Sequence, residues 1–162
     1  MIQRRLRIMV YLQGLSKLAV AAAPFVIDGR PNPLTHLPQG WVEWSGIFVV
    51  WIGIAYGLWA THTMGGSFTI WPSPKPGGAL VTAGPFRYTR NPIYFSVMIM
   101  GIGYAMTYRS WSAAALMIPM LIILFVKVRT EEGELERQFG RAFVDYRAHT
   151  SALIPWFKAR PS

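Results

Sequence analysis

Residues 84–136 read GPFRYTRNPIY, FSVMIMGIGYAMTYRS, WSAAALMIPMLIILFVKV, RTEEGELE, and this stretch decides the fold. Two long apolar runs, 92–108 and 111–128, are separated only by Arg109 and Ser110. A polar string stands on either side, GPFRYTRNPIY before and Glu131-Glu132 after. A helical hairpin that crosses a hydrocarbon layer of about 30 Å twice returns the second string to the side of the first. Arg87, Arg90, Tyr94 and the two carboxylates then converge at one membrane face. Ionisable groups in a membrane chain usually mark function.

Working outward, two further apolar stretches, 8–27 and 41–60, make about four spans in all. The first carries Gln13, Ser16 and Lys17, which makes it too polar in its middle, and too long, for a signal peptide. The chain is 52% hydrophobic and only 14% charged, against about 25% charged in a soluble domain. The expectation is an all-α, multi-pass transmembrane helical bundle, one membrane domain over its 162 residues. It divides into the first two spans (1–66), a Pro/Gly-rich cytoplasmic loop (67–91), the hairpin (92–128), and an amphipathic cytoplasmic helix with a tail (129–162).

The net charge of +9 would suggest nucleic acid in a soluble protein, but its distribution argues otherwise. Arg4, Arg5 and Arg7 precede the first span. Lys75, Arg87 and Arg90 lie between the second and third, and seven basic residues run from Lys127 to Arg160. The other two loops hold Arg30 and Arg109 alone, so thirteen stand against two, with Lys17 inside a span. That asymmetry is the positive-inside signature. Both termini and the 61–91 loop should be cytoplasmic, with anionic lipid rather than nucleic acid as the basic residues' partner. There is no cysteine, so no thiol chemistry is available. His36, His62 and His149 are scattered and make no metal set.

Local signals refine the plan. Residues 28–40 hold three prolines and two glycines and read as an external loop. Alternating prolines at 72–76 stiffen the cytoplasmic loop. Asn91 is a good N-cap and Pro92 a good first helical residue for the third span. Pro119 should kink the fourth. Leu135, Phe139, Phe143 and Tyr146 recur as one apolar stripe of an amphipathic helix. Gly101 and Gly103 suit close packing of helices.

Four of the seven acidic residues fall within Glu131–Glu136. They suit the solvated start of an amphipathic helix, where carboxylates meet the positive dipole end, and equally a site for a cationic or hydroxyl-rich ligand. Arg87, Tyr88, Arg90 and Tyr94 suit interfacial anchoring, and equally an anion site at a helix N-terminus.

Residues 71–157 resemble the C-terminal core of the isoprenylcysteine carboxyl methyltransferase and phospholipid methyltransferase superfamily. The resemblance rests on Leu80-Val81-Thr82-Ala83-Gly84-Pro85-Phe86-Arg87-Tyr88-Thr89-Arg90-Asn91-Pro92-Ile93-Tyr94, then Glu131-Glu132, Leu135, Phe139-Gly140, Phe143, Tyr146 and Ile154-Pro155. It implies an integral-membrane methyltransferase that uses S-adenosyl-L-methionine. By the resemblance, Asn91, Pro92, Ile93, Tyr94, Glu131 and Glu132 line the cofactor pocket, and Arg90 with Glu132 forms the catalytic set. Arg90 suits the donor's carboxylate; the two glutamates suit its ammonium or ribose hydroxyls. A basic residue beside the acidic pair corresponds to Lys127 or Arg129. Many relatives have His where this chain has Asn91, and an amide exchanges no proton at neutral pH.

The expected acceptor is lipophilic or membrane-borne, a carboxylate or a lipid headgroup, reaching the site from the bilayer, with no metal required. The expected location is the cytoplasmic membrane of a prokaryote. Two other readings stand beside this one: a membrane sterol or enone reductase using NADPH, and a non-catalytic membrane accessory protein. Neither predicts S-adenosylmethionine binding.

Overall fold

The computed structural model describes residues 2–31, 37–65 and 79–155, with side chains from Arg7 onward. Five α-helices follow in order: α1 Ile2–Val26, α2 Trp41–Met64, α3 Pro92–Thr107, α4 Trp111–Phe139 and α5 Arg141–His149. A short 3-10 turn, Gly84–Arg87, precedes α3. Helices α1, α2 and α4 are long and apolar enough to cross a membrane, and α3 is a shorter apolar helix. The all-helical membrane bundle expected from the sequence is the fold observed. The prolines at 72–76 and the aromatic tail residues Trp156 and Phe157 lie outside the described residues.

The bundle is two helix pairs side by side. α2 packs along α3 and α1 along α4, with a thinner α3–α4 seam between the pairs. Small residues set the first pair's spacing. A Cβ on Gly46 would meet Thr107 N at 2.5 Å and Gly103 O at 2.6 Å, and one on Gly103 would meet Val50 N at 2.7 Å. Only hydrogen fits where these backbones touch, which is the small-residue packing expected of Gly103. The second pair closes over Val20, Ala23, Ala113, Met117 and Met120. Bulky apolar residues point outward, among them Leu18, Phe48, Trp51, Ile118 and Ile122, the pattern of helices solvated by lipid rather than water.

The outer ends are tied by polar contacts between loops. The Ser110 hydroxyl donates to the Asp28 carboxylate, Arg30 Nη2 donates to Arg109 O at 2.9 Å, and Ser110 Oγ caps α4 by accepting from Ala113 N at 3.0 Å. The Ser110 hydrogen bond holds the Asp28 carboxyl below its ordinary range.

The sequence reading ended the hairpin at 128 and began a separate amphipathic helix there. Instead α4 continues through Pro119 and the charged residues to Phe139, 29 residues in one helix, about 43 Å long. Charge ends the apolar run, not the helix. What stops it is Gly140, at φ 55°, a left-handed conformation that a Cβ resists. The predicted apolar stripe is therefore shared, Leu135 and Phe139 on α4, Phe143 and Tyr146 on α5. Phe143 is wholly buried and Tyr146 donates to Phe86 O at 2.7 Å, docking α5 on the end of the bundle.

Candidate functional site

The two polar strings meet at the end of the bundle opposite the Asp28–Ser110 contact. Three segments build the site: the chain entering α3 (89–94), a stretch of α4 two turns short of its end (127–132), and the last residues of α5 with the link after it (147–152). The family-like residues Arg90 and Glu132, 42 positions apart, form a buried ion pair, with Arg90 Nη2 at 2.7 Å and Nε at 2.8 Å from Glu132 Oε1. Their side chains are 7% and 5% exposed.

Arg90 has further duties. Its Nη1 donates to Arg147 O at 3.2 Å and to Thr150 O, and its backbone N–H donates to Ser151 O at 2.8 Å. Neighbours complete a clasp: the fully buried Thr89 donates its hydroxyl to Ala152 O at 3.1 Å, and Asn91 Nδ2 donates to the same oxygen at 2.9 Å. Asn91 does stand at the N-cap position of α3, but its side chain makes no cap. The carbonyl of Ala152 takes the amide instead, so the cap predicted from sequence is replaced by a tertiary contact.

The second acid has its own partners. Tyr94 shares its hydroxyl proton between Glu131 Oε2 at 2.8 Å and Oε1 at 2.9 Å. Lys127 lies one turn before Glu131 on α4, its Nζ 3.4 Å from Oε1, over the Tyr94 ring at 5.0 Å, and donating to Gln13 Oε1 at 2.7 Å. Of the two basic residues predicted to flank the acids, Lys127 faces them. Arg129 is exposed and stacks on Phe125 at 5.0 Å. The acidic cluster thus divides by helix face: Glu131 and Glu132 point inward, while Glu134 and Glu136 pair with Arg137 and Arg147, each at 2.7 Å. The solvated helix start expected from the sequence describes none of them, since all four lie within α4 and no helix begins there.

Other predicted residues differ in their placement. Pro92 is buried as the first residue of α3, and the Ile93 carbonyl accepts from Ser96 Oγ at 2.7 Å. Arg87 remains exposed on the surface. Burial pushes the Tyr146 phenol above its ordinary value, with nearby Arg90 opposing and Glu132 reinforcing, so it stays a proton donor to Phe86 O. Sequence reasoning missed Gln13 and the main-chain acceptors at 147–152. The i, i+4 spacing of Lys127 and Glu131 on one helix would have singled out that pair.

Beside the polar cluster lies an apolar groove of about 440 Å³, lined by Tyr56, Trp59, Tyr88, Phe95, Ile154 and Pro155. Phe95 directly follows Tyr94 in α3, so the groove and the cluster are adjacent. Its volume is in the range that holds small-molecule ligands.

An apolar helical bundle with two acid–base pairs gathered at one end, next to an apolar groove, has the form of a membrane protein with a polar site at one end. The comparison with known families is specific: the profile described as phospholipid methyltransferase matches residues 41–142. The match spans more than half the chain, and the chain belongs to that family of membrane methyltransferases. It covers α2, α3, all of α4 and both strings, and leaves α1 outside. A search of curated proteins finds no match.

Proposed function

We propose that this chain transfers a methyl group from S-adenosylmethionine to a lipophilic acceptor at the cytoplasmic face of its membrane. The observation that carries the reading is the meeting of Tyr94 and Arg90 with Glu131 and Glu132, inside the segment that matches the family. When bound, the cofactor supplies an electrophilic methyl on a sulfonium, which passes in line to the acceptor and leaves a neutral thioether.

The donor set fits such a group. Glu131 keeps 14% of its side-chain surface and is the acid better placed to accept from an ammonium or ribose hydroxyls. Tyr94 and Lys127 hold that carboxylate in one orientation. Glu132 and Arg90 spend their charges on each other, so they are positioning residues that join α4 to the entry of α3 rather than contacts to the cofactor. This revises the part that the resemblance implied for them. Holding two reactants in register is the chain's main contribution, for which effective molarities reach about 10⁵ M.

The acceptor's apolar chain fits the groove between α2 and α3. The Asn91 amide is engaged by Ala152 O, which leaves it no part in removing a proton. The reading therefore favours an acceptor that is already a free nucleophile, such as a carboxylate. The charge asymmetry of the sequence supports a cytoplasmic site, where the soluble cofactor is available.

Calorimetry on the detergent-purified protein tests the reading. S-adenosylmethionine should bind and NADPH should not, and Glu131→Gln should weaken binding by about tenfold or more, the value of a charge-assisted hydrogen bond. A folded wild-type protein that binds no S-adenosylmethionine refutes it. Labelled methyl donor with a membrane-lipid extract then identifies the acceptor.

A further inference from the structure

Helix α1 lies outside the family match, yet it puts two polar groups against α4 that the site does not use. Gln13 is 4% exposed. Its Oε1 accepts from Lys127 Nζ at 2.7 Å. Lysine only donates, so this contact fixes the amide's orientation and turns Nε2 the other way. Nε2 is buried and has no acceptor. A buried amide donor left unpaired is costly.

Lys17 stands four residues along α1, on the same helix face and about 6 Å further from the N-terminus. Helical side chains lean toward the N-terminus, which brings its ammonium back toward Gln13. Gln13, one turn earlier on that face, already touches Lys127 of α4. Among the described residues Lys17 has no ion-pair partner.

The charges of this seam do not balance. Lys127 has Glu131 as its carboxylate, and Arg90 and Glu132 cancel each other, while Lys17 has none. One positive charge and one amide donor are left over inside a membrane helix, and both call for the same thing, a negatively charged oxygen. Its depth follows from the register of the two helices. Met9 meets Thr130 and Gln13 meets Lys127, whereas Asp28 meets Ser110 at the other end. Thirteen residues of helix separate Gln13 from the end of α1 at Val26, about 20 Å, so Gln13 lies roughly 10 Å inside a 30 Å hydrocarbon layer bounded there. Lys17 is rooted a turn deeper, and its stem carries the ammonium back toward the level of Gln13, where a headgroup drawn inward meets it.

We propose that the α1–α4 seam binds the anionic head of a membrane lipid, a phosphate or a carboxylate, with Lys17 Nζ and Gln13 Nε2 as its donors. Lys17 is exposed on the bundle surface and meets the lipid first; its flexible stem swings to admit the oxygen to Nε2. Lys127 connects the seam to Glu131, so the bound head bears on the acid through one residue. The site does not depend on methyl transfer.

The test measures the thermal midpoint of the full chain in neutral detergent, with added phosphatidic acid, oleate, phosphatidylcholine or oleyl alcohol. The two anionic probes separate phosphate from carboxylate, and stabilisation by either, but not by the uncharged or zwitterionic pair, supports the site. Lys17→Gln should cut the apparent affinity for the anionic probe about fivefold, the contribution of one lysine near a membrane surface. Gln13→Glu places a carboxylate where the lipid oxygen would sit, and should raise the midpoint without lipid and abolish the anionic preference. Arg141→Gln, on the exposed face of α5, should leave the preference intact. Retention of the full preference by Lys17→Gln, or an equal loss in Arg141→Gln, overturns the proposal. So does a parallel loss of S-adenosylmethionine affinity in Lys17→Gln, which would assign the anion to the methyl donor.

Discussion

Replacing Arg90 with Gln removes one half of the Arg90–Glu132 pair. The N–O contact is 2.7 Å, which corresponds to a gross attraction of roughly 6 kcal/mol at an effective dielectric of about 20. Desolvation of both ions offsets much of that, so the pair's net worth is smaller. Losing only one partner is different, because it strands the other charge. Glu132 is 4% exposed and would be left buried without a cation, at a cost of about 3–5 kcal/mol.

Arg90→Gln also releases the carbonyls of Arg147 and Thr150, so it should cost about 1–2 kcal/mol more than Glu132→Gln. The double variant removes both charges together and should cost less than the sum of the singles by about 3 kcal/mol. The assay is a double-mutant cycle, unfolding in mixed micelles followed by tryptophan fluorescence. Additivity within about 0.5 kcal/mol would show that the two groups do not share one energy and would refute the reasoning.

Three further outcomes follow from the packing and the caps. Gly103→Ala drives a methyl into Gly46 O and Val50 N; it should cost about 1–3 kcal/mol, whereas Gly133→Ala, with open space around it, should be neutral or slightly stabilising in the same unfolding assay. Tyr94→Phe leaves Glu131 with Lys127 as its partner and should cost about 1.5–3 kcal/mol, read as a lower unfolding free energy of the apo protein. Asp28 has a folded-state value below its ordinary 3.8, so its contribution is complete above that pH and is lost as pH falls below it. In a pH series of thermal midpoints, the difference between wild type and Asp28→Asn should close on acidification through about pH 4.

Much of this arrangement could be read from the chain because it rests on periodicity and on return distance. Two apolar runs with a two-residue turn between them force Glu131 and Glu132 back to Arg90 and Tyr94. The limit of α4 was misplaced because Arg129 and Thr130 mark where the apolar run ends, while a helix stops only where its backbone is interrupted. Gly140 carried that signal, ten residues later. Asn91 was assigned a local cap because capping is a local rule, but Ala152 O, 61 residues on, competes for the same amide. The carbonyls of Arg147, Thr150 and Ala152 are invisible to any residue pattern, since every residue has one. Gln13 was seen as a blemish in an apolar span; its meaning lies in Lys127, 114 positions away.

The clasp also imposes an order in time. Arg90 is synthesised 60 residues before Thr150, an interval of about 3–12 s at 5–20 residues per second. Through that interval the hairpin can already be in the membrane while the guanidinium has none of its late carbonyl partners. A chain interrupted anywhere between Phe139 and Arg147 would insert every span and still lack the link that closes around Arg90. Termination before that link therefore yields a protein that passes for complete by its membrane topology and fails only at its site.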